Sequence, residues 1–171
     1  GLDIGWRKRK AAAATRDPKE RYSIVSDRLC EQGRFGQKTQ AGIYRYEEGD
    51  RTPVRDSAVE QLIIDASMSL EIERRAISDK EILERCLYPL INEGAKILEE
   101  GIALRPGDID TVWVAGYGFP DYRGGPMFYA DHLGPTEVYA GLCRYQEQHG
   151  DVWRPAELLR KMAENGGRFS D

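Results

Sequence analysis

The chain has 171 residues, of which 40% are hydrophobic and 32% charged, and its formal net charge is −4, a composition typical of a globular domain with a polar surface. Its apolar stretches are shorter than the ~20 residues that a membrane span needs, and we find no signal-peptide pattern. Three cysteines without CxxC spacing and two isolated histidines argue against a disulfide framework and a zinc site.

The first predicted element is a basic helix. Residues 1–45 carry eleven Lys/Arg against five Asp/Glu, and residues 7–10 read Arg-Lys-Arg-Lys. Such a run could bind phosphate, nucleic acid or an acidic partner, but a solvated helix face beside the alanines at 11–14 is the interpretation that we favour. Because no aromatic residues alternate with the basic ones, the stacking surface of a single-strand binder is absent, and we predict no nucleic-acid partner.

A glycine-punctuated loop follows a helix that is predicted to end near Gln32. The loop, residues 33–42, reads GRFGQKTQAG. Arg34 and Lys38 could bind an anion there, and they are the candidate substrate-binding residues. The interpretation that we favour is a tight connector, in which glycine permits positive φ angles. The three glycines concerned are Gly33, Gly36 and Gly42.

The strongest helix signal lies at residues 79–100. Ser78 and Glu81 have the spacing of a capping box, apolar residues recur behind them at helical spacing, and Gly101 supplies a C-terminal stop. The helix has a broad apolar face, as a helix that packs against a neighbouring domain requires.

The other predicted helices are shorter and are mostly bounded by Pro or Gly. They cover residues 57–74, 106–115, 126–133, 136–149 and 155–165. Turns and close packing between them are assigned to Gly116, Gly118, Pro120, Gly124, Gly125 and Pro126. Only residues 43–46 alternate like a strand. The predicted fold class is therefore all-α with one short extended segment.

The sequence offers no pattern for catalysis or for cofactor binding. It contains no HExxH pair, no GxSxG elbow and no GxGxxG loop. The two glycines in residues 116–120 match a phosphate loop only weakly, because a helix precedes them where a strand is required. We therefore predict no catalytic, metal-binding or cofactor-binding residues in this chain.

Four stretches resemble one family, the bifunctional enoyl-CoA hydratase/3-hydroxyacyl-CoA dehydrogenases. Residues 1–6 (GLDIGW) and 29–46 (LCEQGRFGQKTQAGIYRY) resemble the first of its two C-terminal helical domains. Residues 77–93 (ISDKEILERCLYPLINE) and 108–127 (DIDTVWVAGYGFPDYRGGPM) resemble the second. A tandem domain also explains an internal echo between LCEQGRF at residues 29–35 and MAENGGRF at residues 162–169.

The resemblance implies a helical fold of the 6-phosphogluconate dehydrogenase C-terminal type. It divides the chain into the tail of a first copy (residues 1–50), a connecting helix (51–76) and a complete second copy (77–171). The implied parent enzyme serves fatty-acid β-oxidation: it hydrates 2-enoyl-CoA and oxidises 3-hydroxyacyl-CoA with NAD. The expected partners are the hydratase domain and the Rossmann NAD domain of the same chain and the acyl-CoA substrate, with a homodimer as a further expectation.

Two positions depart from the family pattern. The family contacts its substrate through an Asn in the first copy, and the equivalent residue in the second copy is Glu84, which lacks the amide donor. The resemblance thus implies a second copy without a catalytic role. Gln40 stands where the family has Gly, and it would cost about 1 kcal/mol if the backbone there has a positive φ.

The ends of the chain give two last expectations. The chain begins at Gly1 without an initiator Met, so we expect a part of a longer protein that is inactive alone; a free-standing helical interaction module is the alternative. Its last residues lack a Ser-Lys-Leu peroxisomal address, so a bacterial cytoplasm is expected rather than a peroxisome.

Overall fold

The computed structural model describes residues 1–17 and 22–171, and the chain divides into two compact units, Gly1–Arg75 and Ala76–Asp171. Every named element in the described ranges is an α-helix or a 3-10 turn, which confirms the all-α prediction. None of the described helices is long and apolar enough to cross a membrane. The division into two copies and a connecting helix stays a prediction.

The first unit contains three α-helices and a 3-10 turn at Gln37–Thr39. The helices are α1 (Leu2–Ala11), α2 (Val25–Glu31) and α3 (Ser57–Ser69). The predicted end of α3 at residue 74 is wrong by five residues. Glu71 turns the backbone with a φ of 53°, and the Ile72 amide donates to the Ser67 carbonyl oxygen at 2.9 Å, the bond pattern that closes a helix C-terminus.

The predicted strand at residues 43–46 does not form. The described residues contain isolated bridges only, and one of them pairs Arg45 with Val54, which exchange two N–H···O bonds of 2.9 Å. In an antiparallel ladder the next hydrogen-bonded pairs would be residues 43 with 56 and 47 with 52, and neither pair is bonded in the described residues. The alternating pattern thus marks an extended segment held at one residue pair.

The second unit contains five α-helices with 3-10 turns at Asp121–Arg123 and Asp151–Trp153. The helices are α4 (Asp79–Glu99), α5 (Pro106–Tyr117), α6 (Pro126–Leu133), α7 (Pro135–His149) and α8 (Glu157–Asn165). All five lie within two residues of their predicted bounds. The predicted stop of α5 at Gly116 is wrong: Gly116 lies inside the helix, and Gly118, with a φ of 72°, ends it.

Local chemistry explains why α4 begins and ends where predicted. The Ser78 hydroxyl accepts a hydrogen bond of 3.2 Å from the Glu81 amide, and Gly101 takes a φ of 68° just beyond the last turn. Pro89 lies exposed inside the helix. Because proline has no N–H, the helix lacks one hydrogen bond at this point.

The core of the second unit joins α4, α6, α7 and α8. Its fully buried side chains include Ile91, Met127, Val138, Leu142 and Leu159, each of which contributes about 1.5–3 kcal/mol by leaving water. Two glycines let the helices approach closely, since a Cβ at Gly94 would collide with Met127 and one at Gly141 with the Tyr88 ring.

A second apolar face of α4 points away from this core. Tyr88 and Ile91 are buried, whereas Ile82 and Leu83 are 49% and 56% exposed, and Cys86 on the same side is exposed. A helix with apolar residues on both faces is typical of an element that packs on two sides. Within the second unit only one of these faces is covered.

Candidate functional site

Arg34, a predicted substrate-binding residue, lies in a network within the first unit. Its Nη2 atom donates to Asp56 Oδ2 at 2.6 Å and its Nε atom to the Gly42 carbonyl oxygen at 3.1 Å. The Arg34 side chain is only 18% exposed, and its hydrogen bond holds the pKa of Asp56 below the usual range. These contacts tie the loop to the start of α3, as the connector interpretation requires; a substrate contact stays a prediction.

Lys38, the second predicted substrate-binding residue, pairs with a buried carboxylate. Its Nζ atom lies 2.6 Å from Asp3 Oδ2, and Asp3 is 5% exposed. The hydrogen bond from Lys38 lowers the pKa of Asp3 although burial opposes the shift. Lys38 itself is half exposed, so its ammonium stays accessible while it joins the loop to α1.

The backbone of the loop needs its glycines. Gly36 has a φ of 116° and a ψ of −152°, a conformation that only glycine adopts readily, and a Cβ on Gly42 would lie 2.8 Å from the Gly36 Cα atom. Gly33 has a φ of 75° and Gln40 a φ of 53°. Gln40 therefore occupies the left-handed region in which a side chain is strained.

Glu84, the predicted replacement of the family's Asn, is a buried carboxylate in the second unit. Its Oε2 atom accepts hydrogen bonds from Arg144 Nη2 at 2.8 Å and from the Tyr145 hydroxyl at 2.7 Å. Its Oε1 atom has no hydrogen-bond partner, and the Lys80 ammonium lies 3.6 Å away. Glu84 thus joins α4 to α7 through one oxygen and leaves the other unsatisfied.

A pocket of about 400 Å³ lies beside Glu84, between α4, α6 and α7. Its walls are apolar or aromatic: Leu83, Leu87, Tyr88, Tyr129 and Leu133. Its charged residues are Lys80, Glu84 and Glu137. Burial, and then the negative charges of Glu84 and Glu137, raise the pKa of Tyr88 to about 12. The pocket therefore combines an apolar wall with two carboxylates, of which Glu84 is paired with Arg144.

Asp110, which the sequence analysis left without a role, caps a helix other than its own. From α5 it accepts hydrogen bonds from the Met127 amide at 2.7 Å and the Phe128 amide at 3.1 Å, at the start of α6. Gly125 makes room for this contact, since a Cβ there would collide with Asp110. Burial raises the pKa of Asp110, although the two amides oppose the shift.

Asn92 and Asp131 hold other segments in the same way. Asn92 donates to the Arg154 carbonyl oxygen at 2.9 Å and accepts from the Ala156 amide at 2.7 Å. Asp131 accepts from two backbone amides, Phe169 at 2.7 Å and Ser170 at 2.9 Å. A signal for Asn92 was present in the sequence, because a polar residue one turn after Tyr88 on a buried helix face must find partners.

The remaining predicted turn residues surround these contacts. Gly118 and Gly124 have φ angles of 72° and 75°, Gly125 has a φ of 106°, and Pro120 precedes the 3-10 turn that starts at Asp121. Pro126 is the first residue of α6. Across residues 1–17 and 22–171 no three His, Cys, Asp or Glu side chains converge as metal ligands would.

Comparisons with known proteins agree on one family. The 3-hydroxyacyl-CoA dehydrogenase C-terminal domain matches residues 82–170. The peroxisomal bifunctional enzymes of Danio rerio and Homo sapiens are each 42% identical over 97% of this chain, which covers 25% of either protein. The peroxisomal fatty acid beta-oxidation multifunctional protein AIM1 of Arabidopsis thaliana is 34% identical over 87% of the chain, which covers 21% of that protein.

A solved structure has the same fold. The dehydrogenase part of multifunctional enzyme 1 from C. elegans superposes with a TM-score of 0.68 at 24% identity, covering 94% of this chain and 36% of that one. The chain thus spans about a quarter of the length of the curated relatives and about a third of this solved chain.

The expectation of a bacterial cytoplasm is wrong. The relatives from Danio rerio, Homo sapiens and Arabidopsis thaliana are all named peroxisomal. The expectation rested on the last residues of the chain. A terminal address is read only at the end of a whole protein, and this chain covers a quarter of its relatives.

Proposed function

The chain belongs to the family of 3-hydroxyacyl-CoA dehydrogenase C-terminal domains, and on this premise we propose that it is the C-terminal helical part of a multifunctional β-oxidation enzyme. The parent protein would hydrate 2-enoyl-CoA and oxidise 3-hydroxyacyl-CoA with NAD. The observation that carries the proposal is the likeness to multifunctional relatives over 97% of this chain and only 25% of their length. We place the parent protein in the peroxisome, as its relatives are named.

The polar side chains of the second unit support a role of this chain in bracing the parent protein. The sequence contains no GxGxxG loop, so NAD would be held by another domain of the parent protein. Three polar side chains form their hydrogen bonds with backbone amides and carbonyls of the second unit, namely Asp110, Asp131 and Asn92. Their effect is to fix the shape of a helical unit.

The outer face of α4 is the surface we assign to that bracing. Ile82 and Leu83 are about half exposed, and each would release water on contact with a neighbouring domain, worth about 25 cal/mol per Å² of apolar area. We propose that this face packs against another part of the parent protein and so helps to close the acyl-CoA cleft.

Activity measurements test the proposal. We expect the purified 171-residue chain to give no oxidation of NADH with acetoacetyl-CoA, because the hydride donor has no binding loop here. The protein translated from the complete reading frame should turn the same substrate over. Turnover by the short chain would disprove its inactivity, and a complete protein without dehydrogenase activity would disprove the enzymatic role.

The reading frame itself separates the proposal from the free-standing interaction module. An upstream nucleotide-binding motif in frame with residue 1 supports the enzyme. A start codon at that point, with no such motif before it, would support the module.

A further inference from the structure

The pocket beside Glu84 contains a buried carboxylate oxygen that has no hydrogen bond. The Glu84 side chain is 8% exposed, and Oε1 has no hydrogen-bond partner. Leaving a buried polar atom unpaired is costly, and more so for a charged group. The two bonds from Arg144 and Tyr145 go to Oε2, so this oxygen remains an acceptor for a further donor.

The Lys80 ammonium pairs with this oxygen only loosely. The Lys80 ammonium lies 3.6 Å from Oε1, beyond hydrogen-bond distance, and the Lys80 side chain is 78% exposed. Displacing an exposed lysine costs little free energy, because its ammonium is hydrated again in water. Another cation can therefore take its place.

The pocket walls define the shape of such a cation. Leu83, Leu87, Tyr129 and Leu133 surround a space of about 400 Å³, large enough for an extended aliphatic stem. Glu137 adds a second carboxylate to the lining. An apolar stem that ends in an N–H-bearing cation matches both properties, since such side chains bury their stems along apolar surface.

The surroundings favour a protein as the source of this cation. Ile82 is half exposed next to the pocket-lining Leu83, so the apolar surface extends beyond what a small amine covers. Residues 76–171 carry sixteen Asp/Glu against ten Lys/Arg, a negative balance that attracts a basic partner. We propose that the Glu84 pocket binds a lysine or arginine side chain presented by a basic, partly apolar protein segment.

This site does not depend on the enzymatic role, and binding measurements on the 171-residue chain test it. The probe is the peptide acetyl-Ala-Leu-Lys-Leu-Ala-amide, titrated while amide NMR signals of α4, α6 and α7 are followed. Its neutral control carries norleucine in place of lysine. We expect saturable shifts around the pocket and an affinity about tenfold higher for the lysine peptide, the effect of one charged hydrogen bond.

Variants assign the binding to the carboxylate. Glu84→Gln should weaken the lysine peptide about tenfold, and Glu137→Gln should weaken it less because Glu137 is exposed. Glu147→Gln, an exposed change on the same helix as Glu137, is the matched control and should leave the affinity unchanged. Should Glu84→Gln fail to fold, Lys80→Ala decides: removing the competing ammonium should raise the affinity several-fold.

Four outcomes would overturn the proposal. Equal affinities of the lysine and norleucine peptides would show that the positive charge does not contribute to binding. Unchanged binding in a folded Glu84→Gln variant, or weaker binding in Lys80→Ala, would show that the Glu84 carboxylate does not bind the ammonium group of the peptide. Equal affinities of n-butylammonium and the lysine peptide would show that the pocket binds small amines and that a protein segment adds nothing to binding.

Discussion

The turns of the first unit depend on single residues with positive φ angles, and the side chain of one of these residues is poorly suited to that conformation. Gln40 has a φ of 53°, although its side chain makes a positive φ unfavourable. The resemblance indicated the position, because it implies glycine there, but it did not give the backbone conformation of this chain. The structure shows the positive φ.

Gln40→Gly should stabilise the protein. Relief of backbone strain is worth about 1 kcal/mol, and the greater freedom of glycine in the unfolded chain offsets part of it, which leaves a gain of about 0.5 kcal/mol. Urea unfolding followed by circular dichroism measures the difference. The matched control is Gln37→Gly in the 3-10 turn, which should destabilise; a loss of stability in both variants would contradict the strain at Gln40.

Arg34→Met should destabilise the first unit in a pH-dependent way. The hydrogen bond from Arg34 lowers the pKa of Asp56 below its ordinary value of 3.8, so the stabilisation is present above that pH and is lost as the pH falls through the folded-state pKa. The urea midpoints of wild type and variant should therefore differ at pH 7 and converge towards pH 2.

The control for this comparison is Arg51→Met, which changes an exposed arginine in the same unit. Its midpoint should follow that of the wild-type protein at every pH. A difference between wild type and Arg34→Met that stays constant down to pH 2 would show that the arginine acts by packing and not through the Asp56 carboxylate.

At the scale of elements, the sequence predicts helices well where local signals decide. Capping at Ser78 and the glycine after α4 mark that helix from its own residues. The end of α3 was predicted wrongly because a glutamate, Glu71, takes the left-handed conformation that usually marks a glycine. The strand was predicted wrongly because alternation at residues 43–46 does not show whether a partner strand exists.

Contacts between elements were much harder to predict. Asp110 caps a helix that starts sixteen residues later, and Asn92 bonds to residues more than sixty positions away. Nothing local identifies such partners, because the pairing depends on how helices cross. Glu84 shows the same limit: the family pattern marked its position, but only the fold showed that it binds Arg144 and lines a pocket.

The whole molecule consists of two units, and the second closes its own core. All members of its main hydrophobic cluster lie between Tyr88 and Phe169. We expect residues 76–171, produced alone, to fold and to unfold cooperatively in urea, because single domains of this size usually behave as two-state systems. A gradual, non-cooperative loss of helicity would contradict an independent core.

Pro89 separates two parts of α4 that have different neighbours. The pocket residues Lys80, Leu83, Glu84, Leu87 and Tyr88 all precede it, whereas Ile91, Asn92 and Ala95 follow it. Because proline cannot donate, one backbone hydrogen bond is missing between the turns that line the pocket and the turns that enter the core. The pocket-lining turns therefore depend on side chains for their position: Glu84 is hydrogen-bonded to α7 and Tyr88 is buried in the core.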